Sequence, residues 1–123
     1  MANAINWFEI PASDFDRACE FYSKVLDGKI TQMDMPGGMK MGMFPHYEAG
    51  SVGGAVVAGN GYEPTQKGTL PYLNGGENLS VPLSKVEKAG GKIVMPKTSI
   101  GENGFMAQFI DTEGNRVALH SMK

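Results

Sequence analysis

The chain has 123 residues, of which 41% are hydrophobic and 20% charged, and its formal net charge is −2. These values are typical of one globular domain, and the lack of any Lys/Arg run argues against the basic face that nucleic-acid binding needs. No apolar run reaches the roughly 18 residues that span a bilayer, and the N-terminus has no signal-peptide pattern. Cys19 is the only cysteine. No intrachain disulfide can form, and we expect a cytoplasmic protein.

The first predicted element is a half-buried strand at residues 5–11. Apolar and polar side chains alternate along it, which is the pattern of a strand with one buried face. Phe8 and Ile10 therefore share the face that packs under a helix, and Trp7 and Glu9 share the opposite face.

A helix is predicted next, with Ser13 or Asp14 as its N-cap, because a short oxygen-bearing side chain accepts hydrogen bonds from the first turn. Gly28 is predicted to end this helix, since glycine tolerates a positive φ. The apolar stripe of the helix recurs at three- and four-residue steps, as Phe15, Ala18, Cys19, Tyr22, Val25 and Leu26.

Three short strands are predicted after this helix, because glycine and proline punctuate the chain there. The first is at residues 29–35. The second places its methionines, Met41 and Met43 among them, on one face. The third is at residues 51–59, and the loop before it carries His46.

The same order of elements then returns. The strings SKVLDGKI at Ser23–Ile30 and SKVEKAGGKI at Ser84–Ile93 match almost residue for residue. An internal repeat of this kind predicts two copies of one supersecondary unit. We therefore predict a single α+β domain of two tandem βαβββ modules, at about residues 4–59 and 70–122, joined by a linker at residues 60–69.

In the second module, Pro82 restricts where the helix begins, since proline is tolerated only in the first turn. The helix is therefore predicted to begin near Leu79–Val81. The strand at Lys92–Met95 is predicted to stop at Pro96. The last two strands are predicted at residues 104–110 and 115–121.

Two motifs accompany this architecture. They are D-x-x-R-A-x-x-F-Y, from Asp14 to Tyr22, and D-T-E-G-N-R-V-x-L-H, from Asp111 to His120. Together with the repeat, they resemble the vicinal oxygen chelate superfamily, which includes glyoxalase I, bleomycin- and fosfomycin-resistance proteins and extradiol dioxygenases. The resemblance covers nearly the whole chain. It implies an open barrel-like sheet around a cavity, with the helices packed outside, and it implies a homodimer.

Enzymes of this superfamily usually hold a divalent metal such as Zn, Ni, Mn or Fe, with His, Glu or Gln from the first and last strands of each module. Counted from the motifs, these positions correspond to Trp7, Leu70, Ala118 and a residue within Ser51–Ala58. None of them offers a side chain that binds a metal. We therefore expect no metal site of the usual family type and no cofactor.

The strand faces expected to line the cavity still carry reactive and aromatic side chains. Glu9 and His120 are candidates for a general acid/base pair, because a carboxylate that orients an imidazole keeps it basic. The alternative is an ion pair at a strand end or two solvated side chains. The candidate ligand-binding residues are Trp7, Tyr72, Asn74, Met41, Met43 and His46. For the aromatic and methionine side chains among them, the alternative is a place in the core.

Two functions follow from these expectations. The first is a small-molecule-binding protein with an apolar cavity lined by aromatic and methionine side chains, similar to the bleomycin-resistance type. The second is a lyase or isomerase of the glyoxalase type that acts on a small carbonyl compound. The enzyme would use the Glu9/His120 pair or a displaced divalent metal.

Overall fold

The first module is a βαβββ unit in the computed structural model, which describes residues 3–123. Its strands form one sheet, here called sheet one, in the order β1-β4-β3-β2, with β1 parallel to β4 and the other pairs antiparallel. The elements are β1 (Trp7–Pro11), α1 (Phe15–Val25), β2 (Thr31–Asp34), β3 (Lys40–Met43) and β4 (Gly53–Ala58).

The second module repeats this arrangement in sheet two, whose strand order is β5-β8-β7-β6, with β5 parallel to β8. The two modules and their order confirm the predicted α+β fold, and the eight strands form two open sheets of four. The elements are β5 (Tyr72–Asn74), α2 (Ser80–Val86), β6 (Lys92–Ser99), β7 (Phe105–Ile110) and β8 (Arg116–Ser121).

The core lies on the helix sides of both sheets and is continuous from one module to the other. Ile10 on β1 and Leu119 on β8 are both buried within it, and the burial of Ile10 is what the alternation along β1 predicts. The ring centroids of Phe21 on α1 and Phe109 on β7 are 5.8 Å apart. The helices α1 and α2 also contact each other. Packing around the helices therefore joins the modules, and the opposite face of each sheet is turned away from them.

The N-cap of α1 is Asp14, one of the two predicted residues. Its Oδ1 accepts a hydrogen bond from the backbone N–H of Arg17 at 3.1 Å. The acceptor satisfies one of the free donors of the first turn.

The prediction that Gly28 ends α1 through a positive φ is wrong. Asp27 takes the left-handed conformation instead, with φ 50°, and Gly28 is not among the residues with positive φ. The N–H of Gly28 donates to the carbonyl of Ser23 at 3.1 Å, which is the six-to-one bond of a Schellman motif. Glycine is needed at position 28 for space, because a Cβ there would lie 2.4 Å from Cβ of Pro45.

The prediction that a strand stops at Pro96 is also wrong, since β6 runs on to Ser99. The strand lies at the edge of sheet two, and its pairing with β7 shifts register between Ile93 and Met95 and again between Met95 and Thr98. Proline is tolerated at such irregular edge positions, where its missing N–H breaks no ladder bond.

The helix α2 begins at Ser80, inside the predicted range, and Pro82 lies in its first turn. Among residues 3–123, neither helix is long and apolar enough to cross a membrane.

Candidate functional site

The face of sheet one that points away from α1 carries four of the predicted site residues. Trp7 and Glu9 project from it on β1, and Met41 and Met43 project from it on β3. The strand register supports this, because Glu9 and Met43 are both paired with Ala55 on β4. Trp7, Met41 and Met43 are half-buried, and Glu9 is exposed.

The carboxylate of Glu9 accepts hydrogen bonds from two aromatic side chains. Nε1–H of Trp7 donates to Oε2 at 3.2 Å, and the hydroxyl of Tyr62 donates to Oε1 at 3.1 Å. The hydrogen bond to the Glu9 carboxylate, with its negative charge, raises the pKa of Tyr62. The linker between the modules thus reaches across to β1 and places a phenol beside the indole.

A third aromatic ring reaches this place from the loop before β4. The ring of Tyr47 lies over Gly53, where an added Cβ would be 2.9 Å from the Tyr47 ring and 3.3 Å from the Trp7 ring. The missing side chain of Gly53 therefore lets both rings lie close to β4. Trp7, Glu9, Tyr47 and Tyr62 together are called the aromatic–carboxylate cluster below.

Sequence reasoning missed Tyr47 and Tyr62 as site residues. Both belong to irregular segments, so no periodicity indicates where their rings point. For Tyr62 the sequence did hold one indication of a site role. It is the only large apolar side chain in the polar linker at residues 60–69.

The other predicted residues lie on sheet two. Asn74 on β5 is paired with His120 on β8, and Tyr72 is paired with Ala118. Tyr72, Asn74 and His120 line an open depression of about 670 Å³, together with Ile100, Met106 and Met122. Its rim is apolar and exposed, with Tyr72 51% and Met122 62% accessible.

The imidazole of His120 is held by the main chain. Its Nε2 lies 2.6 Å from the carbonyl oxygen of Asn103. A carbonyl only accepts, so Nε2 must carry the proton, and in the neutral ring Nδ1 is left as the acceptor. His120 therefore has the tautomer that a base acting through Nδ1 requires.

The structure does not bring Glu9 and His120 together. Within residues 3–123, no hydrogen bond or ion pair joins them, and each has the partners described above. The catalytic role of this pair stays a prediction. His46 lies with neither group, because its Nε2 bonds the carbonyls of Leu26 and Asp27 at the end of α1, at 3.0 and 3.2 Å.

The side chains at the positions where the resemblance places metal ligands do not fit a divalent metal. The register sets Trp7 beside Gly53 in sheet one and Tyr72, rather than Leu70, beside Ala118 in sheet two. These side chains supply no carboxylate or imidazole ligand. In the described part of the chain, no three His, Cys, Asp or Glu residues are grouped so that they could hold a metal ion.

The motif residues Glu113 and Arg17 connect the β7–β8 turn to the start of α1. The side chain of Glu113 is fully buried, and its Oε1 accepts from the backbone N–H groups of Ser13 at 2.9 Å and Asp14 at 2.6 Å. Its Oε2 accepts from Nε of Arg17 at 2.7 Å. No local pattern predicts this role of Glu113, because its partners at the start of α1 lie about a hundred positions earlier in the chain.

Asp111 and Tyr22 complete this connection inside the core. The hydroxyl of Tyr22 donates to Oδ2 of Asp111 at 2.7 Å. Complete burial, with the nearby charge of Asp111 and the hydrogen bond to it, raises the pKa of Tyr22 well above its ordinary value. These motif residues hold the two modules together.

Comparison with known proteins agrees with this fold. The family model described as Glyoxalase/Bleomycin resistance protein/Dioxygenase superfamily matches residues 4–119. The putative glyoxylase CFP32 of Mycobacterium tuberculosis and Mycobacterium bovis is 26% identical over 119 residues, covering 93% of this chain and 44% of the relative. The chain thus spans less than half the length of these curated relatives.

Two solved structures show the same fold. Glyoxalase I from Zea mays superposes with a TM-score of 0.68 and 19% identity, covering 94% of this chain and 45% of the maize chain. A glyoxalase/bleomycin resistance protein from Albidiferax ferrireducens superposes with a TM-score of 0.70 and 11% identity, covering 97% of this chain and 98% of the other. At such low identity the likeness concerns the fold alone.

Proposed function

The chain belongs to the Glyoxalase/Bleomycin resistance protein/Dioxygenase superfamily, and from this membership we propose that it is a metal-independent small-molecule-binding protein. The observation that carries the proposal is the face of sheet one opposite α1. That face carries three aromatic rings, two thioethers and a carboxylate, and the positions of the usual metal ligands hold residues that do not coordinate.

The chemistry of this face supports binding of an apolar ligand. Each Å² of apolar surface that a ligand buries contributes roughly 25 cal/mol, so a flat ring system gains affinity by area alone. Met41 and Met43 suit such a ligand, because an unbranched thioether adapts its shape to what it contacts. Glu9 and the donors around it would supply orientation, as the few polar groups of a small-molecule site do.

The test is a screen of small aromatic compounds against the ¹⁵N-labelled chain. The signal to follow is the indole N–H of Trp7, the only tryptophan. A binder should shift it saturably in the native chain. Met43→Lys should abolish the shift, because it places a charge in the apolar face. Met95→Lys is the matched control, since Met95 is exposed on the edge strand of sheet two. An equal loss in both variants would contradict a site on sheet one.

A second candidate is a lyase or isomerase that acts on a small carbonyl compound. It is favoured by the tautomer of His120, which leaves Nδ1 as an acceptor beside an open depression. The discriminating variant combines Glu9→Gln with His120→Ala. In a passive binder this change leaves affinity within about tenfold. In the enzyme it abolishes turnover of the carbonyl compound, and undiminished turnover would eliminate the acid/base mechanism.

A further inference from the structure

The carboxylate of Glu9 forms no ion pair with the residues that the structure describes. Its two oxygens accept from a neutral indole and a neutral phenol. In the part of the chain that the structure describes, the ion pairs are those of Arg17 with Glu113 and Lys24 with Glu20, so no basic group lies within 4.0 Å of Glu9. Hydrogen bonds from neutral donors stabilise the carboxylate without neutralising it.

The rings around this carboxylate present surface to the solvent. Tyr47 is 57% accessible and Trp7 is half-buried, and both flank Gly53. The face of an aromatic ring is negative because of its quadrupole, so it attracts a cation placed over it. An exposed carboxylate with accessible aromatic surface on the same face of the sheet therefore favours a positively charged ligand group.

We propose that the ligand of the sheet-one face is an organic cation, an ammonium or quaternary nitrogen on an apolar body, bound with its charged end at the aromatic–carboxylate cluster. The inference rests on the proposed function, because it assigns a ligand class to the same site. The apolar body lies along Met41 and Met43. An anionic ligand would be repelled by Glu9, and a neutral ligand would gain no charge–charge attraction from it.

Two probes of equal shape test the charge directly. Choline carries a quaternary nitrogen, and 3,3-dimethylbutan-1-ol has a carbon atom in its place. Both are titrated into the labelled native chain, with the indole N–H of Trp7 as the reporter. Choline is expected to bind at least about three times more tightly than the alcohol, since cation–π contacts at accessible sites are of that size. Equal affinities would overturn the inference.

Three variants test which residues cause the preference for choline over the neutral alcohol. Glu9→Gln keeps the shape of the side chain and removes its charge, so it should weaken choline binding about three- to tenfold and leave the alcohol unchanged. Tyr47→Leu removes one ring without touching a partner of Glu9, and it should also reduce the preference for choline. Glu102→Gln is the matched control, because Glu102 is exposed in the turn at Gly101–Asn103. An equal effect of Glu102→Gln would mean that binding follows net charge, and the inference would fall.

The same titrations separate the failure of this inference from that of the proposed function. If neutral aromatic compounds shift the Trp7 signal and choline shows no advantage, the face binds ligands and the cation assignment is wrong. If neither choline nor any neutral compound shifts the signal, both the assignment and the proposed site are wrong.

Discussion

Glu113 shows how one carboxylate holds a helix and a distant turn together. It is the acceptor for two backbone N–H groups of the N-terminal region of α1 and for the guanidinium of Arg17. Removing a buried acceptor leaves these donors without partners. Glu113→Ala should therefore lower the free energy of unfolding by about 2–4 kcal/mol in urea denaturation. Glu102→Ala, at an exposed turn, should change it by less than about 0.5 kcal/mol.

The contacts of the Glu113 carboxylate should also make the stability of the fold depend on pH. Burial opposes ionisation of Glu113, but the hydrogen bonds from Arg17, the Asp14 N–H and Thr112 outweigh it and lower its pKa below the ordinary 4.5. A pKa that is lower in the folded chain stabilises the fold above the unfolded pKa, and this stabilisation is lost as the pH falls through the folded pKa. As the pH falls below about 4.5, the free energy of unfolding should therefore decrease less in the Glu113→Gln variant than in the native chain. Parallel acid curves would contradict this role.

Cys19 is predicted to react slowly with thiol reagents in the folded chain. It is 5% exposed on the buried side of α1. Burial, and to a smaller degree the charge of Asp16, raises its pKa to about 11. Thiol reagents attack the thiolate, so at pH 8 they should react slowly with the native chain and fast after denaturation. Rapid native labelling would show that α1 opens from sheet one.

At the level of elements, the end of α1 contains strain that can be removed. Asp27 adopts φ 50°, a region in which a side chain is disfavoured and glycine is not. Asp27→Gly should raise the free energy of unfolding by about 0.5–1 kcal/mol, because the relief of backbone strain exceeds the gain in chain entropy of the unfolded state. Asp27→Ala keeps the strain and should bring no gain. A loss in Asp27→Gly would mean that the carboxylate itself stabilises the helix end.

The elements also show what sequence patterns can and cannot predict. Period-two alternation assigned Phe8 and Ile10 to the buried face correctly, because pleating alone decides it. The continuation of β6 through Pro96 depends on the position of that strand at a sheet edge, which only the assembled sheet determines. Tyr47 and Tyr62 approach Trp7 and Glu9 through the folding of irregular segments. Local sequence patterns therefore could not predict that these side chains lie close together.

At the level of the whole molecule, the shared core predicts one cooperative unfolding transition. Phe109 of the second module is fully buried and contacts Phe21 of α1 in the first. Phe109→Ala should cost about 3–5 kcal/mol. Because Trp7 lies in the first module, its fluorescence should report the full loss, at the same urea concentration as circular dichroism. An unchanged Trp7 transition would mean that the modules unfold independently.

For the molecule as a whole, the face of sheet one is proposed to bind a small molecule without a metal. The most direct test is a ligand titration followed at the indole N–H of Trp7, on protein stripped with a chelator and on the same protein resupplied with Zn, Ni, Mn or Fe. We expect the best aromatic or cationic binder to shift the signal saturably, with the same dissociation constant in both samples. A shift that appears only after metal is restored would contradict the claim and favour a metal-dependent enzyme.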